Sequence, residues 1–421
     1  MSLFTKKYDT KSILIIIGLT AFISRVIVAL LSNNVMDISW YLGWARGLQE
    51  GLTTGYLSMS DLDYPPLFLP ILYIIARIDS LLQLTDGRTM FLIRCVTIVV
   101  DVLTCLLIYR VVIMKCSSEK YAFIAAILYA LNPAVLLNTS WWGQTDGQIM
   151  FFVVLVCWLI ENKHYKWGAV VTALAVLTKI QGLFILPIFG LELLRTKNLK
   201  TIALSSLAFL AVFVAGLAPY ARHTNLFNMI ERIYFNAAGM RPIASLWAFN
   251  FHALLGGANR PDHYTPVGSL SFFIIGITLT ALIFTVFTIY YLTRKRTNIW
   301  LGMTFVFYTI FMFMPRMHER YMIYIIPLIL ITAFTIHIET ETKWVQIVLK
   351  SLFGITTVVI FINHAILMWG VQNQLTREYW INNFEHFVRI CSVFSFITYV
   401  IFFIIYYCVS KPYRVSYNCD N

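Results

Sequence analysis

The chain is a succession of apolar runs separated by short polar clusters. Twelve runs fit membrane spans: 12–31, 91–113, 120–138, 148–161, 167–178, 181–194, 200–218, 268–292, 298–314, 320–337, 346–369 and 390–409. An α-helix of about 20 apolar residues crosses a bilayer, and shorter runs cross when their flanks extend them or when they are partly re-entrant. The pattern therefore predicts an all-α, multi-pass transmembrane protein with about twelve spans.

One further apolar stretch, residues 67–84, has two interpretations. It is long enough to cross the membrane, yet it contains Arg77 and Asp79, and charges inside a span are costly. If it crosses, Lys115 and Lys120 fall outside the cell. If it lies on the outer membrane surface, both lysines fall inside, as the preference of basic loops for the cytoplasm requires. We predict the second arrangement, an interfacial helix.

Two loops of moderate length then lie on the same external side. The first loop, residues 32–90, follows the first span, and the second loop, residues 219–267, precedes the run that begins at 268. The lysines before the first span place the N-terminus in the cytoplasm, and an even number of spans places the C-terminus there too. Neither loop is long enough for a soluble domain, so residues 1–421 are predicted to form one integral-membrane domain.

Composition and charge agree with this class. Hydrophobic residues make up 59% of the 421 residues and the mean hydropathy is +0.75, which exceeds what a soluble core of this length can hide. The net charge of +12 does not indicate nucleic acid, because more than half of the Lys and Arg residues lie in short predicted cytoplasmic loops. The seven cysteines show no CxxC spacing, so neither disulfides nor a zinc site is predicted.

The first loop carries a candidate general base, Asp37. It follows the first span by a few residues and lies near Trp40, Tyr41 and Trp44, whose rings shield it in part and offer a stacking face to a sugar. A solvated loop acid beside interfacial aromatic residues explains the same spacing. From the spacing alone, this simpler interpretation is favoured.

Further along the first loop, Asp61, Asp63 and Tyr64 precede a Pro-Pro pair. The Asp-Leu-Asp sequence resembles the metal-binding DxD of soluble nucleotide-sugar enzymes, whereas a turn fixed by the prolines explains the acids equally well. We therefore assign no metal ligand and leave a requirement for a divalent metal open. Asp63 and Tyr64 are candidates for binding sugar or acceptor.

Two short polar segments offer additional candidates. The loop NTSWWGQTDGQ at 138–148 contains Trp142, Gln144 and Asp146. Tryptophans anchor spans at the interface, but Gln and Asp also bind sugar hydroxyls, and the two interpretations are equally supported.

The second segment is the turn that holds Lys179 and Gln181 between two short apolar runs. With no room for a loop, Lys179 is held close to the membrane. It is either a snorkelling anchor or the counter-charge of an anion.

The segment PRMHERYM, residues 315–322, predicts an anion site. Arg316, His318 and Arg320 gather where a span begins, and the dipole of a helix disfavours cations at that end. Glu319 offsets only part of this charge. A bound phosphate would satisfy the free backbone N–H groups and the arginines together. Interface anchors are the alternative.

The run 91–113 contains two charged residues, Arg94 and Asp101. They are seven residues apart and share one face of a helix. Ionisable side chains inside a span need a partner, so we predict either an intramembrane pair or a support for the first loop.

The order of these motifs resembles the GT-C superfamily of membrane glycosyltransferases. The resemblance rests on Asp37 after the first span, DYPPL (63–67), Arg94 to Asp101, NP (132–133), WGQTDG (142–147), KIQG (179–182) with LP (186–187), and RMHERY (316–321). It runs from about residue 12 to about residue 337. Within the superfamily, the chain most resembles bacterial proteins related to the glycosylphosphatidylinositol mannosyltransferase that adds the second mannose. It is more distantly similar to the dolichyl-phosphate-glucose-dependent glucosyltransferases of N-glycan assembly.

The resemblance implies an inverting hexosyltransferase that uses a polyprenyl-phosphate sugar, with mannose as the expected hexose, on the external face of the cell membrane. It implies that Asp37 is the base and that the HER at 318–320 holds the lipid phosphate. Lys179 and Arg316 join that phosphate site, while Gln181 and Glu319 join the sugar and acceptor site. Relatives usually have Lys-Pro-Gln where this chain has Ile180, which leaves the geometry of that turn open. The expected partners are the lipid-linked sugar, a glycan or glycolipid acceptor and the bilayer.

Two other functions remain open from the sequence. A transporter or flippase of lipid-linked sugars also has about twelve spans, but it should place polar groups near the bilayer midplane and show repeated halves. Here the polar clusters gather at one face, and no repeat is visible. A polysaccharide polymerase or ligase is chemically closer, although such proteins tend to carry one dominant external loop. An endoplasmic-reticulum location is the alternative to the bacterial cell membrane.

Overall fold

The helices of the computed structural model follow the apolar runs. The structure describes residues 9–59, 62, 64–221, 224–236, 239–294, 297–338 and 343–409. The helices are α1 (Thr10–Leu31), α2 (Ile38–Gly47), α3 (Leu52–Ser58), α4 (Leu69–Leu82), α5 (Asp86–Cys116), α6 (Glu119–Ala130), α7 (Pro133–Val135), α8 (Asp146–Glu161), α9 (Tyr165–Thr178), α10 (Leu186–Arg195), α11 (Leu199–Leu217), α12 (Leu226–Ile230), α13 (Phe251–Leu254), α14 (Phe272–Thr293), α15 (Ile299–Phe313), α16 (Ile325–Thr335), α17 (Lys343–Gln372) and α18 (Arg377–Val409). Short 3₁₀ or π turns lie at Leu48–Glu50, Leu136–Trp141, Ile180–Ile185, Glu231–Asn236, Tyr321–Tyr324 and Ile336–Ile338.

The predicted fold class is confirmed: the protein is an all-α, multi-pass membrane protein. Within the described ranges, seven helical stretches are long and apolar enough to cross a membrane: Thr10–Leu31, Asp86–Cys116, Glu119–Trp142, Leu199–Leu217, Phe272–Thr293, Lys343–Gln372 and Ile381–Val409. The other five predicted spans coincide with the shorter helices α8, α9, α10, α15 and α16. Whether these shorter helices complete twelve crossings stays a prediction.

The short apolar helices form the centre of the bundle. Every residue of α15 and of α16 is buried, which suits helices that are hydrophobic on all sides. By contrast, α11 and α14 are also apolar but have few buried residues, as expected of helices that face lipid. The centre is therefore closed by protein, and the loops at its end are the accessible part.

The first loop folds into the three helices α2, α3 and α4. The stretch 67–84 forms α4, which at 14 residues is shorter than the seven candidate spans. Its buried Asp79 accepts a hydrogen bond from the hydroxyl of Thr89 at 2.6 Å and lies 3.4 Å from the guanidinium of Arg46. The charge inside α4 is thus satisfied by α2 and α5. The position of α4 on the outer membrane surface stays a prediction.

The predicted pairing of Arg94 with Asp101 is wrong. Asp101 binds Arg25 of α1 instead, with 2.8 Å between Nε and Oδ2, and both side chains are fully buried. Arg94 donates to the carbonyl of Asn34 at 2.7 Å. Seven residues of helix rise by about 10 Å, so two side chains on one face meet different neighbours. Arg94 supports the first loop, which was the alternative prediction.

A small layer of extended chain links the second loop to the segment before the Tyr321–Tyr324 turn. The strand β1 (Ser245–Leu246) pairs in parallel with β2 (Met317–His318). On the other edge of β1, the N–H of Asn259 donates to the carbonyl of Ser245 at 2.8 Å. Three extended segments thus lie side by side, with residues 258–262 as the outer one.

Candidate active site

Four helix ends converge and bring charged side chains together. Asp37 immediately precedes α2, Asp146 begins α8, Lys179 follows α9, and Arg320 precedes a 3₁₀ turn. Ion pairs connect these four side chains and Glu319, and we call the five residues the charged cluster. Helix ends suit a binding site because some of their backbone N–H and C=O groups have no partner within the helix.

The loop that carries Asp146 is shaped by the Asn-Pro sequence before it. The side-chain oxygen of Asn132 accepts hydrogen bonds from the N–H groups of Ala134 and Val135, at 3.0 and 3.1 Å, and so caps the short helix that starts at Pro133. A π turn over Leu136–Trp141 follows, and such turns are frequent at functional sites. The chain then enters α8 at Asp146.

The position of Lys179 depends on a tight turn after α9. Lys179 is extended, with φ −155° and ψ 144°, and its carbonyl accepts a hydrogen bond from the N–H of Gly182 at 2.8 Å. A Cβ atom at residue 182 would lie 2.4 Å from the backbone of Ala175, so only glycine fits. The turn is therefore formed with isoleucine at position 180.

Arg320 is the centre of the charged cluster. Its Nη1 lies 2.9 Å from a carboxylate oxygen of Glu319 and 3.6 Å from Oδ2 of Asp37. Its Nε lies 3.9 Å from Oδ2 of Asp146 and has no hydrogen-bond partner among the described residues. A buried guanidinium with an unused donor is costly unless a further acceptor binds. In the described part of the chain, Nε of Arg320 is therefore a donor left without a hydrogen bond beside Asp146.

Asp146, by contrast, has hydrogen-bond partners on both carboxylate oxygens. Its Oδ1 accepts from Lys179 at 2.5 Å and from the hydroxyl of Tyr324, and its Oδ2 accepts from the amide of Asn138 at 3.2 Å. Asp146 is fully buried and Lys179 nearly so. This residue anchors the cluster, since its oxygens already have partners.

Asp37 is the open acid of the cluster. Its side chain is 30% exposed, and its Oδ2 accepts a hydrogen bond from the amide of Gln144. The donor is Nε2 of Gln144, and the oxygen of the same amide, Oε1, accepts from the hydroxyl of Tyr41 at 3.4 Å. The amide thus orients the carboxylate without enclosing it. A hydroxyl from solvent can approach the same carboxylate.

Aromatic rings surround the charged cluster. The hydroxyls of Tyr41 and Tyr64 are 2.7 Å apart, and the Tyr64 hydroxyl lies 3.2 Å from that of Thr145. The Arg320 guanidinium lies 5.3 Å from the ring of Trp142 and 5.6 Å from that of Tyr321, within the range of cation–π contact. Such walls lower the local dielectric constant and strengthen charge interactions inside.

Charge pairing sets the protonation of the residues beside Arg320. Burial disfavours a charged Glu319, but the Arg320 guanidinium and the adjacent His318 ring outweigh it and lower the pKa of Glu319 to about 2. Burial and the charge of Arg320 lower the pKa of His318. Glu319 is therefore ionised and His318 neutral at neutral pH.

The remaining predicted residues lie at different distances from the cluster. Arg316 is bound elsewhere, because its Nε lies 2.7 Å from Oδ2 of Asp262 in the second loop. His318 lies 3.6 Å from Glu319. Gln181 is buried, and its side-chain oxygen has no hydrogen-bond partner among the described residues. Asp63 lies outside the described residues.

Three contacts were not predicted. Tyr324 and Asn138 both bind Asp146, and His364 of α17 lies edge-on to Trp142 with 5.7 Å between ring centroids. Tyr324 lies four residues after Arg320, about one helical turn, so its spacing could have indicated that it lies near the charged cluster. A lone histidine inside an apolar run could have indicated the third.

Metal ligation finds no support in the part of the chain that the structure describes. No group of three or more His, Cys, Asp or Glu side chains in these ranges is arranged to hold a metal ion. The two aspartates of the Asp-Leu-Asp sequence, Asp61 and Asp63, lie outside the described residues.

Comparison with known proteins gives one family. The model of glycosyltransferase family 87, a family of the GT-C type, matches residues 62–315. No curated protein matches the chain. The matched range covers more than half of the sequence and includes the loop of Asp146, the turn of Lys179 and the second loop.

Proposed function

The chain belongs to glycosyltransferase family 87, and we propose that it transfers a hexose from a polyprenyl-phosphate donor to a hydroxyl of a glycan or glycolipid. The proposed site is the charged cluster, on the external face of the cell membrane. The position of the cluster at helix ends supports a donor held in the bilayer, because its reactive carbon would then lie at the level of these residues.

One observation carries the proposal: an open carboxylate faces an incompletely bonded arginine. Asp37 is partly exposed and oriented by Gln144, and Arg320 lies 3.6 Å away with an unused Nε donor. A general base needs access to a hydroxyl, and a leaving phosphate needs a donor nearby. These two groups supply both requirements within one small volume.

In the proposed reaction, the acceptor oxygen attacks the anomeric carbon from the face opposite the phosphate. Asp37 takes the hydroxyl proton as the new C–O bond forms. The bond between the anomeric carbon and the phosphate oxygen breaks, and its electron pair stays on the lipid phosphate, so the configuration inverts. Arg320 binds the departing phosphate with its free donor, and Lys179 adds positive charge behind Asp146.

The aromatic and amide groups would orient the sugars. Tyr64 offers a ring face, the buried Trp142 packs on the Arg320 guanidinium, and Gln144 holds the base in place. We propose that His318 and Glu319 position Arg320, and that Arg316 holds the second loop through Asp262 rather than binding the phosphate. Mannose is the proposed hexose because of the resemblance to the second-mannose mannosyltransferase.

A transfer assay tests the donor class. Purified protein in phosphatidylcholine nanodiscs is given radiolabelled polyprenyl-phosphate mannose, polyprenyl-phosphate glucose or GDP-mannose, with a membrane lipid extract as acceptor. We expect label to move into a new product from a lipid-linked donor, mannose above glucose, and not from GDP-mannose. Consumption of GDP-mannose alone would contradict the proposal, as would movement of lipid-linked sugar between leaflets without cleavage.

A further inference from the structure

The second loop and the start of α14 border an open cavity of about 390 Å³ that none of the charged-cluster residues lines. Its walls include Arg260, His263 and Tyr264, with Phe272 at the start of α14 and Gly256 after α13. The cavity is therefore distinct from the proposed transfer site and combines polar with aromatic side chains.

Arg260, which lines the cavity, belongs to a three-member ion-pair network that extends away from the lining residues. Glu385 of α18 lies 3.2 Å from Nη2 of Arg260 and 2.6 Å from Nη2 of Arg389. Gly256 lets this network approach, because a Cβ atom there would lie 2.7 Å from Nη2 of Arg389. Gly256 also adopts a φ of +83°, which L side chains rarely adopt.

Aromatic residues form another part of the cavity lining. The rings of His263 and Tyr264 meet edge to face with 5.2 Å between centroids, and Tyr264 is half exposed although it is large and apolar. Phe272 is buried beneath them. An exposed ring beside paired charged groups suits a ligand with both an apolar face and hydroxyl groups.

The charges distinguish between two classes of ligand. A phosphate would bind Arg260, but that guanidinium is already paired with Glu385, whose negative charge opposes a second anion. A neutral sugar ring meets no such repulsion, and its hydroxyls accept hydrogen bonds from arginine. Its C–H face packs on an aromatic ring. The cavity therefore favours a neutral carbohydrate over an anion.

The extended layer connects this cavity to the charged cluster. Residues 258–262 lie beside β1, and β1 lies beside β2, which leads directly into Glu319 and Arg320. Two strand spacings separate the outer segments by roughly 10 Å. Arg316 ties the same segments together through Asp262. A short oligosaccharide can span this separation.

We propose that the cavity binds a sugar of the acceptor glycan that is distant from the reacting hydroxyl. This inference rests on the proposed transferase function, since it assigns the cavity to the same acceptor. The enzyme would then extend an existing oligosaccharide, and the cavity would select acceptors that carry more than one sugar.

Ligand-observed NMR by saturation transfer tests the cavity without any donor. The full chain is placed in phosphatidylcholine nanodiscs, because the sugar headgroup of a maltoside detergent would compete. The probes are mannobiose and maltose as neutral sugars and mannose 6-phosphate as the anionic comparison. The variants are Arg260→Gln, Tyr264→Ala and Asp37→Asn, with Tyr379→Ala as a control at an exposed tyrosine outside the cavity.

We expect a neutral disaccharide to bind the wild type, Asp37→Asn and Tyr379→Ala alike, with about tenfold weaker binding or more in the two cavity variants. No neutral binding to the wild type, equal binding to Tyr264→Ala, or a preference for mannose 6-phosphate would overturn the inference. Tyr264 is half exposed, so its replacement keeps the test valid if Arg260→Gln fails to fold. Failure of sugar transfer with retained cavity binding would instead overturn the proposed function.

Discussion

The Arg25–Asp101 pair and the Arg320–Asp37 pair each join a guanidinium to a carboxylate, but only the first is in direct hydrogen-bond contact between fully buried side chains. Oδ2 of Asp101 accepts from Arg25 at 2.8 Å and from Thr139 at 2.7 Å, with both charged side chains fully buried. Arg320 and Asp37 are 3.6 Å apart, and the Asp37 side chain remains 30% exposed. We call Arg25–Asp101 the closed pair and Arg320–Asp37 the open pair. A closed pair holds helices together, whereas an open pair leaves its carboxylate accessible to a ligand.

One loop connects the two pairs. Thr139 joins Asp101 to the π turn, and the same loop continues to Gln144, which orients Asp37. The closed pair thus fixes the chain that positions the open one. Because their roles differ, substitutions should separate them: the first should change stability and the second should change turnover.

The largest effect on stability is expected at the closed pair. Asp101→Asn leaves Arg25 buried without a counter-charge, which should lower the free energy of unfolding by about 3–5 kcal/mol. Thermal unfolding of detergent-solubilised protein measures this change. The double variant Arg25→Met/Asp101→Leu removes both charges and should recover most of the loss. A double variant as unstable as the single one would show that the pair does more than fix the helices.

The next effect concerns turnover at the open pair. Arg320→Gln removes the phosphate donor and should reduce transfer by about 10²–10³-fold. Arg316→Gln is the matched control, since that arginine binds Asp262 and lies outside the charged cluster. It should reduce transfer far less. Equal losses in the two variants would contradict the assignment of the phosphate to Arg320.

A smaller effect should follow pH. Because the pKa of Glu319 is lowered to about 2, its ionised form favours the folded state, and this contribution is present above about pH 4.5 and lost as the pH falls towards 2. Its size is about 3 kcal/mol at most. Glu319→Gln should therefore melt lower than the wild type at neutral pH, with a smaller difference at pH 3. A difference that does not change with pH would contradict this account.

The sequence predicted the fold class correctly and supplied candidate site residues, because both depend on local signals. Apolar runs define the helices, and polar residues at helix ends define Asp37, Asp146, Lys179 and Arg320 as candidates on one side. The structure brings these candidates into contact. Their chemical roles stay predictions.

The sequence did not predict how the charges pair, because pairing depends on how helices rotate against one another. Arg25 lies on a different helix from Asp101, so its role was invisible from spacing within one run. Arg316 and Arg320 are four residues apart, yet a residue of the distant second loop, Asp262, binds only the first. Local patterns give candidates, and long-range packing separates them.

The most direct test of the account compares Asp37→Asn with Asp86→Asn in the transfer assay with lipid-linked mannose. Both changes replace an aspartate of the first loop by its amide, but Asp86 is an exposed residue that pairs with Arg46. We expect Asp37→Asn to lose about 10²–10⁴-fold in rate while its melting temperature stays close to that of the wild type, and Asp86→Asn to keep full transfer. Full transfer by Asp37→Asn would contradict the central claim that this open carboxylate is the base.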